Sequence, residues 1–515
     1  MLLRCLRSMP DIDSTEWDKE NWDEELTPHA GNLGTSLQGL TYDFEKAIAD
    51  VVDNSISHGD ADNIWIIISN GADDEDAVQP YVSIIDDGTG MDFQSLRMAL
   101  RYGAESDPYD LNLGRFGLGM KTASTSQCHV LTGCSRADVN AEFKALTWDL
   151  NFLRSGQTNG KWIPLKRNIN TLPKRCLDLI KNTTGTIVHW NDLSKMLPNL
   201  DSLQEHQIQT ALASRIKKTK RHLGMVFHRF LEGKTVHFRE KKINIWINEV
   251  LINPWDPFAS WHQASRHHAL DEQELSLEYE VDDEEDGRVS ISYFGNVMSL
   301  NARILPRKDE FYAQEVDGLE LTKNQVHSHV GNGKWNDSQG IYLYRLDRII
   351  QAGRWSSLLS TDEHTKLARV SIDVGRDWDE VLQLNVTKSF VKLPGNLCGT
   401  KQNKKDLRRI FSNVRSRAGS VYDNDGSEEL IPPPGGFPTT AGPTPPTPPT
   451  PPTPPTPPTP PMPPTPPTPP KPLPKGNPGS LNDAMREEFK QELIQVCQNE
   501  LEMDTLNGIF ERLNQ

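Results

Sequence analysis

The pattern of apolar and polar positions marks out a mixed body and then an abrupt end to it. Residues 47–59, AIADVVDNSISHG, are apolar at helical spacing and stop at a glycine, as helices often do. Positions i, i+3 and i+4 share a helix face, so Asp50, Asp53 and Asn54 form one polar patch beside Ala47, Val51 and Ile56. NIWIIIS (63–69) and YVSIID (81–86) are strand-length runs joined by an acidic turn and predict a hairpin. DFQSLRMALRYG predicts a helix ending at Gly103, and GTIVHW (185–190), KINIWINEVLI and RVSISYFG predict further strands. Strands often follow strands directly, which predicts an α+β sandwich rather than a doubly wound sheet. Residues 1–40 are polar and read as an irregular segment.

Near residue 430 the pattern changes. Residues 431–479 are proline-rich, with threonine-proline-proline triplets that each make one turn of polyproline II. At ~3.1 Å per residue such a spacer reaches on the order of 150 Å. Beyond it, residues 480–515 place Leu481, Met485, Phe489 and Leu493 at spacing four, an amphipathic helix with no core of its own. Such a helix is expected to bind a second copy, a protein partner or the main body.

Composition narrows the function classes. The chain is 36% hydrophobic and 24% charged with a formal net charge of −16, which argues against whole-protein attraction to nucleic acid. One basic segment, KQNKKDLRRIFSNVRSRAG (401–419), could still meet DNA phosphate without reading sequence, with Leu407, Ile410 and Val414 as its buried face. The six cysteines show no CxxC pair and read as free thiols of a cytoplasmic protein. No apolar run approaches the roughly 20 residues of a membrane span.

Three clusters carry chemistry. In the first helix the Asn54 carbonyl oxygen is a hard ligand suited to magnesium, and Asp50 could take a proton from an attacking water. In IIDDGTGM (84–91), Asp86 ends a strand where it could accept from an exocyclic amine, and Gly88 and Gly90 let the backbone approach a ligand. In LGRFGLGMKTAS (113–124), Gly114, Gly117 and Gly119 form G-x-x-G-x-G, neither the P-loop nor the dinucleotide spacing, with Lys121 as a cation for phosphate.

With Gly185-Thr186, the order and spacing of these clusters resemble the GHKL superfamily of gyrase, Hsp90, histidine kinases and MutL. The resemblance implies a Bergerat α/β sandwich over 41–200 that binds ATP with Mg2+. It implies Asn54 for the metal, Asp86 for the adenine amine, Gly88, Gly90 and Met91 for the turn beneath the base, and Thr186 for the adenine through water. It implies Gly114, Gly117 and Gly119 for the phosphate lid. Related ATPases carry glutamate four residues before the asparagine, as the general base. Here Asp50 is one methylene shorter, which makes ATP binding a firmer expectation than hydrolysis.

Only about forty residues precede this domain, which disfavours a histidine kinase. GIYLYRLDRIIQAGRW (340–355) resembles the second domain of MORC ATPases and bacterial relatives. LQLNVTKSFVKLP (382–394) looks like the transducer strand and loop of MutL-like proteins, where a lysine reaches the γ-phosphate. Lys388 is the candidate and Lys392 its alternate. The expected architecture is thus a sandwich, a transducer-like (ribosomal S5-like) α/β domain over 201–425, the proline-rich spacer and the terminal helix. The expected function is a slow ATPase that dimerises with ATP and clamps or remodels DNA, in repair or against foreign DNA. The alternatives are a hydrolysis-poor nucleotide switch that recruits a partner, and an Hsp90-like chaperone.

Overall fold

The computed structural model describes residues 28–423 apart from 40–41, 73, 75–76, 78, 104–112, 114–118, 269–280, 284–288, 294, 314, 317–318, 324, 327–333, 384–390 and 401–405. The chain divides into Met1–Pro438 and Thr439–Gln515. The expected spacer (431–479) and terminal helix (480–515) lie outside the described residues.

The described elements begin with helices α1 (Ala30–Gln38) and α2 (Phe44–Ser57), followed by the hairpin β1 (Asn63–Ser69) and β2 (Tyr81–Asp86). The segment expected to be irregular up to residue 40 therefore contains a helix. Its sequence, AGNLGTSLQ, is a weak helix former, and packing accounts for it. Gly31 and Gly34 let it approach Leu150 and Leu153, and the Gln38 side chain donates to the Thr125 carbonyl at 3.1 Å. Next come α3 (Phe93–Leu100), α4 (Gly119–Thr125), β3 (Val130–Arg136), β4 (Lys144–Asp149), α5 (Leu150–Arg154), β5 (Leu165–Arg167), α6 (Lys174–Leu179) and β6 (Gly185–Asn191). The long helix α7 (Glu205–Val226) and short α8 (His228–Glu232) lead to β7 (Asn244–Ile247) and β8 (Val250–Leu251).

Among the described residues these strands form an eight-stranded sheet in the order β5-β4-β3-β6-β2-β1-β7-β8. It is antiparallel except for the β1–β7 pair, where Trp65 and Trp246 stack at 5.4 Å. Because successive strand residues face opposite ways, β2 serves two cores. Val82 and Ile84 join a core with α2, α3, α4 and α7, whereas Tyr81 and Ile85 meet Cys176 and Ile180 on the other face. The result is the expected Bergerat-type α/β sandwich, whose last two strands come from beyond residue 200.

A second sheet follows, built from β9 (Arg266–His268), β10 (Val281–Asp283), β11 (Val289–Tyr293), β12 (Asn296–Ile304), β15 (Gly340–Arg345), β16 (Arg348–Ala352) and β17 (Ala368–Val374). Its order is β10-β11-β12-β17-β15-β16 with β9 on β12, and β13 (Glu315–Val316) and β14 (Leu319–Glu320) pair separately. The last described helix, Asp406–Asp423, buries Leu407, Ile410 and Val414 in this domain's core, as their spacing predicts. Arg408 turns inward with them and donates to the carbonyls of Leu358 and Cys398.

Cys128, Cys134, Cys176 and Cys398 are buried free thiols. No described helix is long and apolar enough to cross a membrane.

Candidate nucleotide site

Helix α2 buries Asp50 and Asp53 and half-buries Asn54, and each has a partner. Asp50 and Asp53 are 4% and 1% exposed. Buried carboxylates need a cation, and here it comes from the second sheet. Arg348 places Nη2 3.1 Å from Asp50 Oδ1 and Nε 2.6 Å from Asp53 Oδ1. The Tyr42 hydroxyl donates to the other oxygen of Asp50. Burial, and then the Asp50 carboxylate, push the Tyr42 hydroxyl far above its ordinary range. His222 of α7 faces the same cluster and is pushed down to about 3, by burial first and then by the charge of Arg348. It stays neutral at physiological pH. The Asn54 amide nitrogen donates to the Asp50 carbonyl at 3.1 Å, which leaves its oxygen as the atom suited to a hard cation.

One residue further on, α2 reaches the adenine candidate. Ser55 Oγ donates to Asp86 Oδ2 at 2.8 Å, and the Gly88 N–H donates to Asp86 Oδ1 at 3.2 Å. Burial pushes the Asp86 carboxyl up to about 6, against the pull of its bonds from Ser55, Gly88 and Thr186. Thr186 stands opposite Asp86 in the β2–β6 ladder. Its hydroxyl lies 2.9 Å from Ser135 Oγ, which donates to the Gly185 carbonyl and accepts from the Met91 N–H, both at 2.8 Å. A hydroxyl has one proton, so Thr186 is the donor to Ser135. Ser135 thus ties Met91 to Thr186, although no motif singles it out in the sequence.

The turn after Asp86 is fixed by close backbone contact. Gly90 has φ +67°, and a Cβ there would stand 1.9 Å from the Arg136 carbonyl oxygen. At Gly88 a Cβ would stand 2.2 Å from the Gly59 carbonyl oxygen, so the turn lies directly on the end of α2. Asp87 is structural, accepting from the N–H groups of Asp62 and Asn63.

The glycine-rich cluster is only partly described. Gly119 opens α4, while Gly114 and Gly117 lie outside the described residues. Leu113, just before them, is buried, and its N–H donates to Ser57 Oγ at 3.1 Å. Lys121, expected to meet phosphate, bonds a neighbouring helix here. Its buried ammonium donates to the Ala99 carbonyl at 2.9 Å, and burial lowers it to about 8. Ala99 lies in the last turn of α3, whose carbonyls lack helical partners and attract a cation. Lys388 lies outside the described residues, and Lys392 is exposed.

The structure therefore brings Asp50, Asn54, Asp86, Gly88, Gly90, Met91 and Thr186 along the C-terminal half of α2 and the turn packed against its end. It adds Arg348, Tyr42, Ser55 and Ser135, which the motif reading did not contain. Arg348 lies inside the quoted segment 340–355, but nothing local signals its reach to a residue 298 positions earlier.

Residues 42–186 match the family model described as histidine kinase-, DNA gyrase B- and HSP90-like ATPase. This stretch spans all three clusters and Thr186, and the match supports the GHKL superfamily and with it ATP binding. No curated protein matches the chain. Among solved structures, the crystal structure of the N-terminal domain of a DNA repair protein aligns at 12% identity. That alignment covers 76% of this chain and 98% of the other, with a TM-score of 0.38.

Proposed function

We propose that this chain is a magnesium-dependent ATP-binding protein and a slow ATPase, whose second domain works directly on the nucleotide site. The observation that carries the reading is the adjacency built by α2. Asn54 offers an amide oxygen, and the next residue, Ser55, holds the buried carboxylate of Asp86. In this reading Asp86 accepts from the adenine amine, Thr186 reaches the base through water, and Gly88, Gly90 and Met91 form the floor. Asn54 would hold the magnesium, which when bound neutralises phosphate charge. The donor set fits, since magnesium takes few protein oxygens and keeps several waters. Gly114, Gly117 and Gly119 are the phosphate candidates, and Asp50 is the candidate base. From the MutL- and MORC-like segments we extend the reading to ATP-gated dimerisation that clamps or remodels DNA, with Lys388 meeting the γ-phosphate.

A second reading is favoured by one observation. Asp50 already accepts from both Tyr42 and Arg348, and donors to a carboxylate weaken it as a base. A nucleotide switch with negligible turnover follows if that network persists through the reaction.

The test measures ATP binding and turnover with magnesium, with and without duplex DNA, for wild type, Asp50→Ala and Asn54→Ala. We expect Asn54→Ala to lose at least about tenfold in magnesium-dependent affinity. We expect Asp50→Ala to bind ATP and lose turnover. Equal turnover in wild type and Asp50→Ala selects the switch, and absence of ATP binding in wild type sinks both readings.

A further inference from the structure

The hairpin β15–β16 ends in a two-residue turn, Leu346-Asp347, with Arg345 and Arg348 paired at its base. Both turn residues have positive φ, +49° and +67°. This is unfavourable for leucine and persists only where the surroundings impose it. Here they do. Leu346 is buried in the core of the first sheet's domain, although the hairpin belongs to the second sheet. Asp347 is fully buried and accepts from the N–H groups of Val236 and His237 at 3.0 and 2.7 Å. The tip is therefore anchored inside the neighbouring domain.

The two flanking arginines reach two different parts of the candidate site. Arg348 holds Asp50 and Asp53 on α2. Arg345 is clamped by Asp379, with Nε and Nη2 at 2.6 and 2.8 Å from its oxygens. Its remaining Nη1 donates to the Leu113 carbonyl at 3.2 Å. Leu113 immediately precedes the glycine-rich motif and is bonded on its other side to Ser57 of α2. One rigid turn thus fixes both the acidic face of α2 and the root of the glycine-rich segment.

The geometry points to Arg345 and Arg348 as positioning residues for the nucleotide site, through which the second domain sets the placement of Asp50 and Leu113. The inference deepens the proposed function and rests on the reading that α2 lines the ATP site. It differs from a simple interdomain staple. A staple sets overall stability, whereas a positioning contact also sets the order of Asn54–Ser57 and Leu113 and the rate of chemistry after ATP has bound.

The test combines amide hydrogen exchange of the full chain with ATP binding and turnover, for wild type, Arg348→Met, Arg348→Lys and Arg345→Met. Without nucleotide, we expect Arg348→Met to speed exchange at Asn54–Ser57 and Leu113 by at least about tenfold beyond any change at β6 and β17, which report wider opening. Arg345→Met should do so at Leu113, and Arg348→Lys should recover part of the loss. We expect ATP affinity to change by less than about fivefold and turnover to fall by at least about tenfold in Arg348→Met. Equal exchange in wild type and both methionine variants overturns the inference, as does, where wild type turns over measurably, an Arg348→Met rate at or above it. Removing the cation from two buried carboxylates can prevent folding, in which case Arg348→Lys and the response of wild type decide. ATP with magnesium should slow exchange at Leu346–Arg348, and an indifferent tip counts against coupling. If wild type fails to bind ATP, the proposed function fails, while exchange without nucleotide still judges the contacts.

Discussion

Burial raises the Asp86 carboxyl to about 6, against three hydrogen bonds that favour its charged form. The unfolded chain ionises this group near about 4, so the sign of its effect on stability follows. Below about pH 4 the group is neutral in both states and costs nothing. As pH rises through about 6 the folded state must carry a buried charge, at a cost approaching about 3 kcal/mol. Asp86→Asn removes that charge and keeps one acceptor oxygen for the Gly88 N–H, while its NH2 faces Ser55, whose hydroxyl turns to accept. Urea unfolding should show it about 1–3 kcal/mol more stable than wild type at pH 8, with no gain at pH 4. The same change presents an amide donor to the adenine amine, and ATP affinity should fall by at least about a hundredfold. An Asp86→Asn protein that is no more stable at pH 8 would contradict the burial argument, and one that binds ATP normally would contradict the adenine role.

The hairpin β15–β16 shows how an element can belong to one sheet and stabilise another. Leu346 sits in the core of the first domain, so Leu346→Ala should cost about 2–5 kcal/mol in urea unfolding. A loss below about 1 kcal/mol would mean that the tip is not packed as described. Elements with a local signal were legible in the sequence. The period of α2 shows both its apolar face and its polar patch, and the β1–β2 hairpin follows from two apolar runs around an acidic turn. Asp86, the turn glycines and Thr186 entered through the resemblance to the GHKL motifs, and the fold sets Thr186 opposite Asp86 in the β2–β6 ladder. Helix α1 was not legible, because two glycines hide it and packing against α5 forms it. The bond of Lys121 to Ala99 was not legible either, because a carbonyl of another helix supplies it. The grip of Arg348 on α2 depends on a turn almost three hundred residues away, for which no periodicity exists.

At the scale of the molecule, the turn is one of several contacts between the two sheets' domains, since Arg229 of α8 also pairs with Asp373 on β17 and His228 bonds the Tyr344 hydroxyl on β15. The strength of that junction can be read from how ATP stabilises each side. A ligand held at a hundred times its dissociation constant stabilises the state that binds it by about 2.7 kcal/mol. If the domains open independently, only strands of the first sheet gain that protection. If the tip locks them together, opening either sheet requires releasing Leu346 from the first core and Arg348 from Asp50 and Asp53, and both sheets gain. Hydrogen exchange at β6 (Gly185–Asn191) and β17 (Ala368–Val374) distinguishes the cases, since 2.7 kcal/mol corresponds to about a hundredfold in protection. We expect ATP with magnesium to slow exchange in both strands together in wild type, and the gain at β17 to shrink in Arg345→Met/Arg348→Met, in which Arg229 still pairs with Asp373. A wild-type protein in which β17 ignores ATP would mean that the second domain is only attached to the nucleotide site. Any action on DNA through that domain would then need a route other than this turn.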